Sequence, residues 1–239
     1  MKTQNLILLC AAAWLSGCAK MPVRVAASPE YAAREPIATS LFPSDQAVLG
    51  DEAIGRILSS KLELPTKAKL AIMRFPDARS YGRYYWRDED FAKLQQTQVD
   101  TLTTNLLTAD QIAEVTPLPS LMTPRQVSIP VLREAAVRMQ ADLLLVFRIG
   151  TDTYSQSRTF AKDKVKAYST CEVVLLDVRT GLVPFTRVIS RERSEVKQPG
   201  DLDLDEATRR AEQAASVEAL GAAAQELVSF IKTVPRKGH

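Results

Sequence analysis

Three thiols and one imidazole are the side chains in this chain best suited to nucleophilic, acid–base or metal chemistry, and their placement is restrictive. The only histidine is His239, the last residue, and the cysteines are Cys10, Cys18 and Cys171. Histidine is the usual general acid or base and metal ligand near neutral pH, and a terminal residue is seldom held rigidly. This removes His-based triads, His-rich zinc sites and Cys–His pairs together. G-x-S-x-G, G-x-x-x-x-G-K-[ST] and G-x-G-x-x-G are also missing from the sequence. A Ser–Lys or two-carboxylate hydrolase, for instance one acting on the cell wall, stays formally open without any motif pointing to it. The expectation is a protein with no catalytic residues, no metal and no cofactor.

Cys18 lies in "WLSGCAK", directly behind Lys2 and the apolar run "LILLCAAAWL". A positive start, an apolar stretch too short for a permanent span and small residues Ser16 and Gly17 before the cysteine read as an export signal. The tetrad "LSGC" resembles the lipobox of bacterial lipoproteins. That resemblance implies that residues 1–17 are removed and that Cys18 carries acyl chains on its thiol and new amino terminus. Acyl chains contribute about 0.8 kcal/mol per buried methylene, so one chain holds marginally and three hold essentially permanently. By the sorting rule of that family, Ala19 implies the periplasmic face of the outer membrane. Cys10 then leaves with the signal, Cys18 is lipidated, and Cys171 remains alone, so no internal disulfide is possible.

At 239 residues, 46% hydrophobic and 25% charged, the chain has room for one sizeable globular domain. Its formal charge of +3, with Lys and Arg scattered among Asp and Glu, gives no nucleic-acid footprint. Residues 18–43 are rich in Ala, Pro and Ser and read as the lipidated cysteine and a linker, a coil of r.m.s. span near 25 to 30 Å. Residues 44–239 read as the periplasmic α/β domain.

Within that domain Ser44 is an N-cap candidate for a helix whose Val48, Ile54, Ile57, Leu58 and Leu62 recur at helical spacing. Gly50 and Gly55 weaken it, so it needs packing. "AKLAIMRF" reads as a buried strand, residues 88–109 as a long amphipathic helix capped by Asp88, and "IAEVTPL" as a second strand. "LPSLMTP" is a loop, and Ser128 with Pro130 opens a further helix. "ADLLLVFRIG" fits a central strand buried on both faces. Val165, Ala167, Cys171, Val173 and Leu175 then alternate with Lys164, Lys166, Tyr168, Thr170 and Glu172, a half-buried strand that turns at "DVRTG" into "LVPFTRVIS". The chain closes on a helix from Leu204 to Val234, with Val217, Leu220, Ala224, Leu227, Val228 and Ile231 on one stripe. The fold class is an α/β mixed-sheet sandwich with a long antiparallel hairpin and a closing helix.

"KLAIMRF", "ADLLLVFRIG", "CEVVLLDVRTGLVPF" and the Ala-rich final helix resemble the periplasmic domain shared by CsgG, LpoB and the amino-terminal domain of TolB. The resemblance covers residues 66–234 and implies the same fold. A CsgG-like secretion ring is one function it implies, yet Lys164, Lys166 and Glu172 would meet hydrocarbon badly in an inserted hairpin.

Two polar stretches complete the reading. "DLDLDEATRRAE" echoes a calcium loop in Asp201, Asp203 and Asp205, but Glu206 stands where the turn requires glycine. Its acids are expected to cap the last helix, with Glu206 and Arg210 as an i, i+4 pair. In "PDARSYGRYYWRDED", Arg79, Tyr81, Arg83, Tyr84, Tyr85, Trp86 and Arg87 concentrate the residue types enriched at interface hot spots. The functional expectation is a lipid-anchored binding or assembly factor of the bacterial envelope, meeting another envelope protein or its own copies through this segment.

Overall fold

The computed structural model describes residues 40–42, 49–75, 89–123, 127–156 and 163–237. Cys18, Ser44, Asp88 and the aromatic–arginine segment Arg79–Arg87 lie outside the described residues.

In chain order the elements are α1 (Asp51–Ser59), β1 (Ala68–Arg74), α2 (Glu89–Leu106), β2 (Ile112–Pro117), α3 (Ile129–Arg138), β3 (Leu143–Gln156), β4 (Lys164–Asp177), β5 (Phe185–Val196) and α4 (Leu204–Thr233). The expected loop after β2 contains a short 3-10 turn, Ser120–Met122. The five strands form one sheet in the order β2-β1-β3-β4-β5. β1 pairs in parallel with β2 and β3, whereas β3–β4 and β4–β5 are antiparallel. The α/β mixed-sheet fold expected from the sequence is the one observed.

Each face of the sheet is covered differently. On one face Leu70, Ile72, Leu145, Phe147, Cys171, Val173 and Leu175 pack under Leu102 and Leu106 of α2 and the C-terminal half of α4. The N-terminal half of α4 continues over the outer hairpin, where Ala207, Ala211 and Ala215 meet Val165 and Ala167. Alanines at i, i+4 intervals put the smallest side chains on one helix face, which lets the helix backbone lie close to the strands. By length and composition α4 could cross a membrane, but its apolar row is buried against the sheet. On the opposite face only Ala71, Met73, Leu144, Val146 and Leu176 are capped, by Leu132, Ala135 and Ala136 of α3.

Several boundaries differ from expectation for identifiable reasons. α1 starts after Gly50, which is extended (φ −71°, ψ 159°), and ends at Ser59. Leu62 and Leu64 are therefore non-helical and enter the core. None of the nine α1 residues is buried, so the packing expected to offset its glycine does not come from the described chain. β3 runs on through the polar "TDTYSQ", since Thr151 to Gln156 pair residue for residue with Ser169 to Lys164. Asp203 caps α4 by accepting the Glu206 N–H at 3.1 Å, as its acids suggest. Arg210, however, forks onto both carboxylate oxygens of Asp201 at 2.7 and 2.8 Å, in place of the expected ion pair with Glu206. A two-point fork is geometrically better than a single i, i+4 contact. Together with the Gln198 N–H donated at 2.7 Å, it holds the Asp201 carboxyl well below the usual carboxylate range, Arg210 being the larger cause.

The turn between β4 and β5 has its own chemistry. Asp177 is almost fully buried; its carboxylate accepts the Arg179 N–H at 3.1 Å and the Thr180 hydroxyl. Gly181 takes φ +80°, a left-handed conformation that costs an L-residue roughly 1–2 kcal/mol. From α3, the Arg133 guanidinium donates to the carbonyls of Val178 (2.8 Å) and Arg179 (2.7 Å). "DVRTG" is thus a turn fastened both from within and from a neighbouring helix. Gly181→Ala should lower stability by about 1–2 kcal/mol, and a Cβ there would also crowd the Arg133 side chain at 3.3 Å. Urea melts check this; an unchanged midpoint would show that the turn carries no such constraint.

Candidate interaction surface

Strands β3, β4 and β5 expose the face that α3 does not reach. By register, Arg148, Gly150, Asp152, Tyr154 and Gln156 of β3 lie beside Glu172, Thr170, Tyr168, Lys166 and Lys164 of β4. Val188, Ser190, Glu192, Ser194 and Val196 of β5 complete the outer row. The strict two-residue period makes this face the complement of the buried one.

Several of its polar groups are paired across strands. Arg148 donates to Glu172 at 2.6 Å, Lys166 meets Glu192 at 2.8 Å, and the hydroxyls of Thr170 and Ser190 lie 2.9 Å apart. Tyr154 and Tyr168 meet edge to face with ring centroids 5.7 Å apart, and the Lys166 ammonium lies 4.8 Å from the Tyr168 centroid. Hydrogen bonding to Glu192 is the main cause that raises the Lys166 pKa, and its counterpart lowers that of Glu192. Tyr154 is 64% exposed, Val188 69% and Tyr168 38%. The result is a broad, pre-ordered surface with aromatic and β-branched groups between neutralised charges. Such a surface can bind a protein with little ordering of its own side chains.

The outer edge of the sheet is managed differently. On the helix-facing side of β5, Arg187 and Arg193 reach α4 at Glu226 and Glu218, both at 2.7 Å. Charged side chains along an edge strand oppose pairing with further strands, so the open face, more than the edge, is the candidate contact.

Among the described residues no group of three or more His, Cys, Asp or Glu side chains is placed to hold a metal ion. A shallow hollow between Lys69, Glu114, Thr116 and Met139 has a volume of only about 10 Å³, far below ordinary small-molecule sites of about 300–1,000 Å³. The Lys164-to-Glu172 row was legible in the sequence as an outward face. Tyr154 and Val188 carry no comparable signal: "TDTYSQ" has no apolar period of its own, and Val188 stands directly beside the buried Ile189. Asp201, Asp203 and Asp205 fasten the start of α4 and do not converge on a site.

Cys171 sits between Ile149 and Ile189 on the covered face and is fully buried. Burial, with a smaller contribution from the Glu172 carboxylate, pushes its thiol up to about 12. The folded protein therefore holds this proton above the pH at which a free thiol, near 9, loses it. Stability from this group is complete below pH 9 and falls as pH rises towards 12, at up to about 1.4 kcal/mol per unit. Cys171→Ala should lose less stability than the native chain between pH 9 and 11. Native Cys171 should also resist iodoacetamide until denatured; rapid labelling at neutral pH would contradict this placement.

The sequence matches no described protein family and no curated protein. Solved structures align over much of the chain at low identity. A neuraminyllactose-binding hemagglutinin homolog from Helicobacter pylori is 13% identical with a TM-score of 0.41, covering 72% of this chain and 95% of its own. A PelC variant dodecamer from Paraburkholderia phytofirmans is 14% identical at 0.33, covering 68% and 92%. Lipoprotein GNA1162 from Neisseria meningitidis is 9% identical at 0.34, covering 69% and 97%.

Proposed function

We propose that this chain is a lipid-anchored protein of the bacterial cell envelope, held at Cys18 on the periplasmic face of the outer membrane, and that it works by binding another envelope protein and not by catalysis. The observation that carries the binding role is the open face of β3, β4 and β5. It is a three-stranded surface on which Arg148 pairs with Glu172, Lys166 with Glu192 and Thr170 with Ser190, and whose Tyr154, Tyr168 and Val188 remain available. The anchor rests on "LSGC" and the apolar run before it. Arg79, Tyr81, Arg83, Tyr84, Tyr85, Trp86 and Arg87 remain proposed partner residues by composition.

The likeness to the CsgG, LpoB and TolB group rests on the pattern of segments and on the "LLDVRTGLV" phrase, and the Asp177, Gly181 and Arg133 contacts explain that phrase as turn chemistry. Its bearing is on fold, since one fold hosts many functions. A ring whose hairpin enters the bilayer is disfavoured, because Asp152, Lys164, Lys166, Glu172 and Glu192 share the open face. Each charge near the midplane costs a few kcal/mol.

Intact mass of the mature chain should start at Cys18 with acyl additions. In-cell crosslinking should capture a discrete complex that Tyr154→Ala with Tyr168→Ala and Val188→Ser abolishes without a change in the thermal midpoint beyond a few degrees. An unmodified mass refutes the anchor, and undiminished crosslinking refutes the open face as the contact.

A further inference from the structure

α1 is two-sided. At 100° per residue, Ala53, Ile54, Ile57 and Leu58 fall on one arc, and Asp51, Glu52, Gly55, Arg56 and Ser59 on the other. The apolar arc is incompletely covered: Leu58 is 81% and Ile54 39% exposed, Ala53 and Ile57 are half-buried, and no residue of the helix is fully buried. A nine-residue helix is too short to persist in water on propensity alone, and Gly55 weakens it further. Its apolar side needs a surface.

The chain next to α1 indicates which surface. After α1, Leu64 forms a parallel bridge with Arg236; the Leu64 N–H donates to the Pro235 carbonyl at 3.1 Å, and the Lys237 N–H donates to the Leu64 carbonyl at 2.7 Å. This stitch brings the basic end of the chain to the exit of α1. Lys61, Lys67, Lys232, Arg236 and Lys237 are all exposed there, against Glu63 and Asp110. Lys67 lies beside Asp110, donating to its carbonyl at 3.2 Å. An apolar helix face with a predominantly cationic flank is the combination that binds anionic lipid headgroups at an interface. α1 is also the first described helix after Cys18, separated from it in sequence by roughly 30 residues. A tether of that length keeps the helix at high effective concentration over the membrane, so a weak contact suffices.

We propose that α1 lies on the lipid surface to which the chain is anchored, its Ile54, Ile57 and Leu58 side at the headgroup boundary and its Glu52 and Arg56 side towards water. This rests on acylation of Cys18. The docked helix would fix the orientation of the folded part, with the basic stitch at the membrane.

The test uses the mature acylated protein in vesicles of phosphatidylethanolamine and phosphatidylglycerol, with an environment-sensitive fluorophore at Leu58→Cys or, as the water-side control, Glu52→Cys. Both positions are exposed, so the core is spared, and buried Cys171 does not compete for label. Brominated lipid should quench the label at 58 at least three-fold more than at 52, and the difference should shrink when phosphatidylglycerol is omitted. Equal quenching at both positions in protein that still floats with vesicles overturns the docking and leaves the anchor standing. Shielding at 58 that rises with the protein-to-lipid ratio but is not quenched by bromolipid assigns the helix to a second copy and also overturns it. Protein that does not float refutes the acyl anchor, and the docking falls with it.

Discussion

A single helix lying along one face of three long strands is the constraint from which the rest of the structure follows. α4 has 30 residues and β3 and β4 have 14 each, lengths of about 45 Å for the helix and a little over that for the strands. Over this distance the helix keeps small residues, Ala207, Ala211 and Ala215, against Val165 and Ala167, and larger ones, Leu220, Leu227 and Ile231, in the main core over the centre of the sheet. Along β4 the covered face is therefore closed from Leu175 out to Val165. With that face covered by α4 and, over the parallel strands, by α2, the other side is covered only as far as α3 reaches, and the outer halves of the strands stay open there.

The open half is built to be open. Its charges are matched across neighbouring strands, its hydroxyls bond to one another, and its two tyrosines meet edge to face. Half-exposed ion pairs of this kind contribute little to stability, about 1 kcal/mol or less each. Their effect is to hold a composed surface in one arrangement before anything binds, which lowers the ordering cost of association. Arg210 on Asp201, and Arg133 on the β4–β5 turn, act at the two ends of β5. Each fastens a connection whose backbone carbonyls or carboxylates would otherwise be loosely held.

Much of the fold was legible because periodicity carries it. The double-sided apolar run Leu143–Phe147 could only be a central strand, and the alternation from Lys164 to Leu175 assigned both faces of β4 before any pairing was known. The second half of β3 was not legible, since "TDTYSQ" has no apolar period and becomes a strand through its pairing with β4. Arg210 illustrates a second limit: helical spacing suggested Glu206, whereas Asp201, nine residues away, is brought close by the turn before α4. The period of α1 was visible, but that none of its residues is fully buried was not. The open face itself is a property of three strands in register, of which the sequence displayed one.

The central claim is that the open face is covered by a partner in the envelope while the α4 face is covered by the chain itself. Single cysteines along β4 test it most directly, labelled with a small maleimide in the purified mature protein and in intact envelopes. The account predicts that Lys166→Cys and Thr170→Cys react in purified protein but are protected in the envelope, and that Val165→Cys and Ala167→Cys react in neither. Equal labelling of positions 166 and 170 in both settings would contradict it.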